Sequence, residues 1–260
     1  CCLRGSSMYQ QGERYDSTRQ AWDEIWANGS VERELKAALS ARSQHTQRIY
    51  EAYLPKGAPI LEAGSGLSSV LILLRERGYN VLGMDYSISA LRLSLAYDPT
   101  LQLYAGDVHK LPHADNELGA YLSFGVLEHF EHGMGPALCE AYRVLKPGGI
   151  LVLTIPYPNI VHRLVEWKRR LRGVSTLNDD DFYESTYTRW QLEAAVTEAG
   201  FKVLTIVPTS HSFTLWGLGG PFRNPGYYET SPLAERLGAV LRILLPWAFN
   251  FTTLVVAQKP

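Results

Sequence analysis

Ile60-Leu61-Glu62-Ala63-Gly64-Ser65-Gly66-Leu67-Ser68-Ser69 decides the fold of this chain. An apolar run of strand length ends in two closely spaced glycines, and a helical pattern follows at once. Gly64 and Gly66 let the backbone turn sharply and approach a ligand where a Cβ would clash. The N-terminus of the next helix offers unpaired N–H groups to polar ligand atoms. Alone, this turn indicates only a nucleotide-type cofactor; the acids downstream decide which.

Outward from the turn, strands alternate with helices. Strands are predicted at 60–63, 80–85, 101–105, 119–124 and 150–155, with helices near 68–77, 87–97 and 135–145. Residues 118–124 are nearly all apolar or small, as in a strand covered on both faces. Such alternation implies a parallel sheet with right-handed crossovers. Lys146-Pro147-Gly148-Gly149 predicts a helix stop and a tight turn into the fifth strand. After an insertion at 156–185 come a helix at 188–199 and a sixth strand at 201–207; a second insertion, 211–246, precedes a last strand at 251–257. Upstream, residues 16–54 read as helix. The division expected is an N-terminal helical lid at 8–54 and one domain at 55–260; Cys1 to Ser7 resembles an upstream leader and is set aside.

With 260 residues, 46% of them apolar, the chain can bury a full core. A formal net charge of −1 argues against global attraction to nucleic acid or to an anionic membrane. Cys1, Cys2 and Cys139 have neither disulfide-framework nor zinc-site spacing, which favours a cytoplasmic setting. No stretch reaches the roughly 20 apolar residues of a transmembrane helix.

Asp85 ends the second strand, about twenty residues beyond the glycines, where a carboxylate reaches ribose hydroxyls in a doubly wound sheet. Asp107 ends the third strand, where it could meet an exocyclic amino group of an adenine. Both fall at strand C-termini, the ligand-binding edge of open α/β sheets.

Several motifs together carry a resemblance. They are Leu61 to Gly66, Met84-Asp85-Tyr86-Ser87, Gly106-Asp107-Val108, Val126-Leu127-Glu128-His129 and Arg143 to Gly149. On these the chain resembles the class I S-adenosylmethionine-dependent methyltransferases, and within them the small-molecule group that includes ubiquinone-pathway enzymes. The resemblance implies an α/β, Rossmann-like, mostly parallel seven-stranded sheet with helices on both faces and its last strand antiparallel. It implies S-adenosyl-L-methionine as cofactor and S-adenosyl-L-homocysteine as product. By position, Glu62, Gly64, Ser65 and Gly66 would line the methionine moiety and Asp85 would hold the ribose. Tyr86 would lie beside the adenine, Asp107 and Val108 at its edge, and Ser123 and Phe124 at the methionine and methyl group.

Rival readings are weaker. The turn lacks the third glycine of a nicotinamide-binding fingerprint, and Tyr142 and Lys146 have a short-chain dehydrogenase spacing only by coincidence, since Lys146 ends its helix. Some related enzymes place Glu-x-x-Glu-His here as metal ligands. This chain has Gly125 in the first position, so Glu128 and His129 are too few for a metal site and are read as packing residues.

The expected activity is in-line methyl transfer to a small-molecule acceptor. A methyltransferase acting on protein or RNA, or a non-catalytic adenosylmethionine-binding protein, stays open. A base is needed only for a poor nucleophile, with His129, His162 and His211 as candidates. Tyr15, Trp22 and Trp26 could fold over the cofactor, whose cationic sulfonium suits aromatic faces; for the two tryptophans, packing onto the domain is the default. Arg163, Lys168, Arg169, Arg170 and Arg172 suggest either a solvated helix or a lid for an anionic substrate. The apolar stripe Leu233, Leu237, Val240, Leu241 and Leu244/Leu245 is expected to pack on its own domain; an apolar cover over the acceptor or peripheral membrane contact is the alternative. The oligomeric state, monomer or homodimer, is not encoded legibly.

Overall fold

β1 (Ile60–Ala63) is buried along its whole length because it lies inside the sheet, paired in parallel with β2 (Val81–Asp85) and β4 (Leu118–Phe124). The structure is a computed structural model describing residues 15–171, 184–226 and 228–260, with side chains from 19 onward except 165, 166 and 168–170. β3 (Leu103–Ala105), β5 (Leu145–Pro156), β6 (Lys202–Thr209) and β7 (Thr252–Gln258) complete seven strands in the order β3-β2-β1-β4-β5-β7-β6. β7 runs antiparallel to both β5 and β6. The expected sheet, with its last strand reversed, is therefore present.

Alternation along β1 sends Ile60 and Leu61 to opposite faces. Leu61 joins a core with Met84, Tyr121, Leu138 and Val255, under α6 (Gly135–Val144) and α8 (Arg189–Glu198). Ile60 joins another with Leu71, Leu122, Val152 and Leu254, under α4 (Ser69–Glu76) and α5 (Ile88–Tyr97). Strand order reverses between β1 and β4. Their C-terminal ends therefore form the crevice where doubly wound sheets bind ligands.

The N-terminal helical stretch is three helices rather than one: α1 (Tyr15–Ala27), α2 (Val31–Ala38) and α3 (Ala41–Glu51). Ser30 and Ser40 break it as N-caps, accepting from the N–H groups of Arg33 and Ser43. β5 begins earlier than expected. Leu145 pairs with Leu118, and Gly148 and Gly149 exchange backbone hydrogen bonds with Lys259, so Lys146 to Gly149 belong to the strand.

The first insertion contains α7 (Ile160–Leu171); the side chains of Lys168, Arg169 and Arg170, together with Arg172 and Asp179 to Asp181, lie outside the described residues. The second contains α9 (His211–Trp216) and α10 (Pro232–Leu244). The expected packing face of α10 is corrected. Ala234 and Gly238 are its buried positions, and a Cβ on Gly238 would meet the Ser212 nitrogen at 2.6 Å. Backbone contact that close is set by the small residues, leaving Leu233, Leu237, Val240 and Leu244 exposed. Among the described residues no helix is long and apolar enough to cross a membrane.

Candidate active site

The turn after β1 is hooked onto the end of β2: the N–H groups of Gly64 and Ser65 both donate to Met84 O, at 2.8 and 2.9 Å. Gly64 (φ +80°) and Gly66 (φ +48°) adopt left-handed backbone that disfavours a side chain. A Cβ on Gly64 would also lie 2.3 Å from Val126 Cγ2, in the loop after β4. The two crevice loops therefore touch through the missing side chain.

Two acids lock this turn. Asp85 Oδ2 accepts from Gly66 N–H at 2.7 Å and Oδ1 from Ser87 N–H at 2.8 Å. Burial raises the Asp85 pKa, opposed by those N–H groups. Ser68, just before α4, makes no side-chain cap. Glu62 supplies the acceptor instead, taking Leu71 N–H at 2.9 Å, where the helix dipole favours negative charge. Its own burial pushes the Glu62 pKa up to about 8, with the Leu71 N–H opposing and the Asp85 charge adding.

Two adjoining cavities make a trough along the strand ends. Gly64, Asp85, Tyr86, Val126 and Phe130 border both. The larger, about 170 Å³, extends to Phe124, Gly125 and His129; the smaller, about 10 Å³, extends to Gly106, Asp107 and Val108. Asp107 Oδ1 accepts from the His109 backbone N–H at 2.9 Å and meets His109 Nδ1 at 2.7 Å.

α1 roofs the trough. Trp22 and Trp26 line the larger cavity and stack on each other at 5.4 Å, and the His129 and Trp22 rings meet in a T-shaped contact with centroids 5.3 Å apart. Asp23, between them, accepts from Ser87 Oγ at 2.6 Å and Ser89 N–H at 3.2 Å. The Ser87 hydroxyl holds the Asp23 pKa below its ordinary value despite opposing burial. Trp26 packs against the core, as the default reading has it, and both tryptophans also wall the cavity.

Of the residues singled out from sequence, Gly64, Asp85, Tyr86, Asp107, Val108 and Phe124 line the trough. Glu62, Ser65, Gly66 and Ser123 stand behind it: Glu62 caps α4, Ser65 is buried, Gly66 donates to Asp85, and Ser123 Oγ donates to Ala63 O at 3.0 Å. Tyr15 opens α1, but its side chain lies outside the described residues. Gly125, Val126 and Phe130 were missed, although the left-handed Gly125 (φ +69°) sits directly after a strand, as Gly64 does. Glu128 is buried with its pKa pushed up to about 8, whereas His129 faces the trough. Among the described residues no group of three or more His, Cys, Asp or Glu could hold a metal ion.

A methyltransferase-domain family model matches residues 61–153. A malonyl-acyl-carrier-protein O-methyltransferase of Pseudescherichia vulneris is 30% identical over 194 residues, 73% of this chain and 74% of the relative. A demethylmenaquinone methyltransferase of Streptomyces avermitilis is 34% identical over 154 residues, 57% of this chain and 58% of the relative. The chain spans about half the length of the first curated relatives it matches. A solved S-adenosylmethionine-dependent methyltransferase of Methanosarcina mazei shares the fold, with a TM-score of 0.59 at 17% identity over 81% of this chain and 96% of that one. The chain belongs to the S-adenosylmethionine-dependent methyltransferases.

The trough fits that family's cofactor in chemistry. A carboxylate with lone pairs to spare lies beside a turn without Cβ atoms, and an apolar slot follows between Tyr86 and Val108. In volume it is tighter. About 170 Å³ falls below the roughly 300–1,000 Å³ of pockets for ligands of this size, with Trp22 and Trp26 among the walls.

Proposed function

We propose that this chain transfers the methyl group of S-adenosylmethionine to a small-molecule acceptor. The observation that carries the reading is the convergence of Asp85 and the Gly64–Gly66 turn on one trough at the sheet's switch point. Asp85 would hold the ribose hydroxyls, Tyr86, Asp107 and Val108 the adenine, and Gly64 and Phe124 the methionine end. Glu62, Ser65, Gly66 and Ser123 act behind them by fixing the turn. Relatives named for demethylmenaquinone and for a malonyl group on acyl-carrier protein support a small acceptor group.

When bound, the sulfonium supplies an already activated methyl group. Any proton on the acceptor's attacking atom would have to leave to water or to a base of this chain. The chain's share is alignment and exclusion of water. α1, pinned through Asp23 to Ser87, closes the trough, and Trp22 and Trp26 present ring faces suited to a cation. His129, on the trough wall, is the histidine placed to receive a proton.

Calorimetry with S-adenosylmethionine and S-adenosylhomocysteine tests the donor site, and absence of binding to folded protein refutes it. Incubation with labelled cofactor and a metabolite extract, followed by mass identification of the product, tests transfer; binding without turnover would instead support a non-catalytic role.

A further inference from the structure

Phe124 borders a second, larger chamber of about 670 Å³ as well as the trough. That volume suits a whole small molecule. α2 and α3 bound it on one side, α9 on another, and the strand ends at Thr154 and Thr252 contribute its floor. Its walls are fixed aromatic planes. Phe213 and Trp216 stack at 4.8 Å with 9° between planes. Tyr228 stands edge-on to both, and Phe251 edge-on to Phe213.

Much of the polar wall faces inward, to the protein. Ser43 Oγ donates to Ala37 O, Thr46 Oγ1 to Arg42 O, and the Gln47 amide to Ala38 O, while Thr252 Oγ1 pairs with Thr209. Arg42 is different. Its guanidinium lies 4.3 Å over the Phe213 ring, and one N–H reaches Tyr228 O at 3.3 Å. Its Nε is buried with no acceptor among the described residues, as is Trp216 Nε1. Arg42 enters no ion pair there either. Burial works against its charge, while Glu235 and Glu34, the latter on the chamber wall, support it without forming an ion pair. A planar guanidinium so placed is suited to a closer, carboxylate-like partner.

We propose that this chamber holds the methyl acceptor, and that the acceptor is a flat, largely apolar ring compound bearing an anionic oxygen group seated at Arg42. The proposal rests on the trough being the donor site, and it puts acceptor and donor in two cavities that meet at Phe124.

The test uses 2-naphthoate and its uncharged counterpart 2-naphthalenemethanol, titrated calorimetrically into the full chain saturated with S-adenosylhomocysteine. Naphthoate should bind roughly tenfold or more tightly than the alcohol, as expected for a hydrogen-bonded charge pair. Arg42→Gln should bring the ratio near one while leaving affinity for the alcohol and for S-adenosylhomocysteine unchanged; Arg42→Lys should keep part of the ratio. A ratio near one in the parent chain, or one that Arg42→Gln leaves unaltered, overturns the proposal while the donor site stands. If Arg42→Gln does not fold, the parent ratio and Arg42→Lys decide. Failure of S-adenosylhomocysteine itself to bind overturns the donor site, and this proposal with it.

Discussion

Trp26 lies so close over Gly66 that a Cβ placed there would stand 2.9 Å from its ring. The roof helix and the glycine turn are thus in contact, with α1 fastened beside them by the Asp23–Ser87 hydrogen bond. Loading the cofactor is expected to displace the indole rings that line the cavity. Saturating S-adenosylhomocysteine should therefore change the tryptophan emission, and Trp22→Phe/Trp26→Phe should abolish most of that change. Stopped-flow mixing should show faster association for Trp26→Ala than for the parent. Identical emission with and without ligand, in protein that calorimetry shows to be saturated, would refute the closed roof.

Gly64→Ala should damage both stability and binding. Left-handed backbone costs a non-glycine residue on the order of 1–3 kcal/mol, and the new methyl group meets Val126. Adding Val126→Ala relieves the contact but not the backbone term, so recovery should be partial. Thermal unfolding and S-adenosylhomocysteine titration of both variants read the two effects separately.

Asp85→Asn places an amide where two backbone N–H groups need an acceptor. One Asn oxygen cannot serve both as the two carboxylate oxygens do. Charge-assisted hydrogen bonds contribute about 1.5–3 kcal/mol each. Affinity for S-adenosylhomocysteine should fall roughly ten- to hundredfold. Retained affinity by calorimetry would remove Asp85 from the ribose role.

Glu62 gives the chain a pH dependence of known sign. Its folded pKa, about 8, lies above its ordinary 4.5. Between those values the folded chain keeps a proton that the unfolded chain has released. Its contribution to stability is fully present below 4.5 and is lost as pH rises through about 8. Glu128 acts in the same direction. The melting temperature should fall from pH 5.5 to 8.5, and Glu62→Gln should flatten part of that slope. A melting temperature that rises across this window would contradict the assignment.

Local chemistry explains what could be read in advance. The Gly64–Gly66 turn, the strand runs and the terminal Asp85 and Asp107 are specified by neighbours a few residues away. Ser30 and Ser40 were equally local signals, yet an apolar rhythm running through them concealed two helix breaks. The Leu233 to Leu244 stripe misled for a different reason: which face of α10 is buried depends on how near Ser212 can approach Gly238, a contact between distant segments.

By itself, then, the sequence determined the doubly wound sheet, its glycine turn and the acids at its strand ends, because periodicity and turn chemistry are short-range. Tertiary structure alone decided that Glu62 and Ser123 support the turn instead of lining the trough, that Trp22 and Trp26 close over it, and that Arg42 stands at a ring-walled chamber beyond Phe124. Where a side chain points, and what faces it, depends on chain segments far apart in sequence packing together.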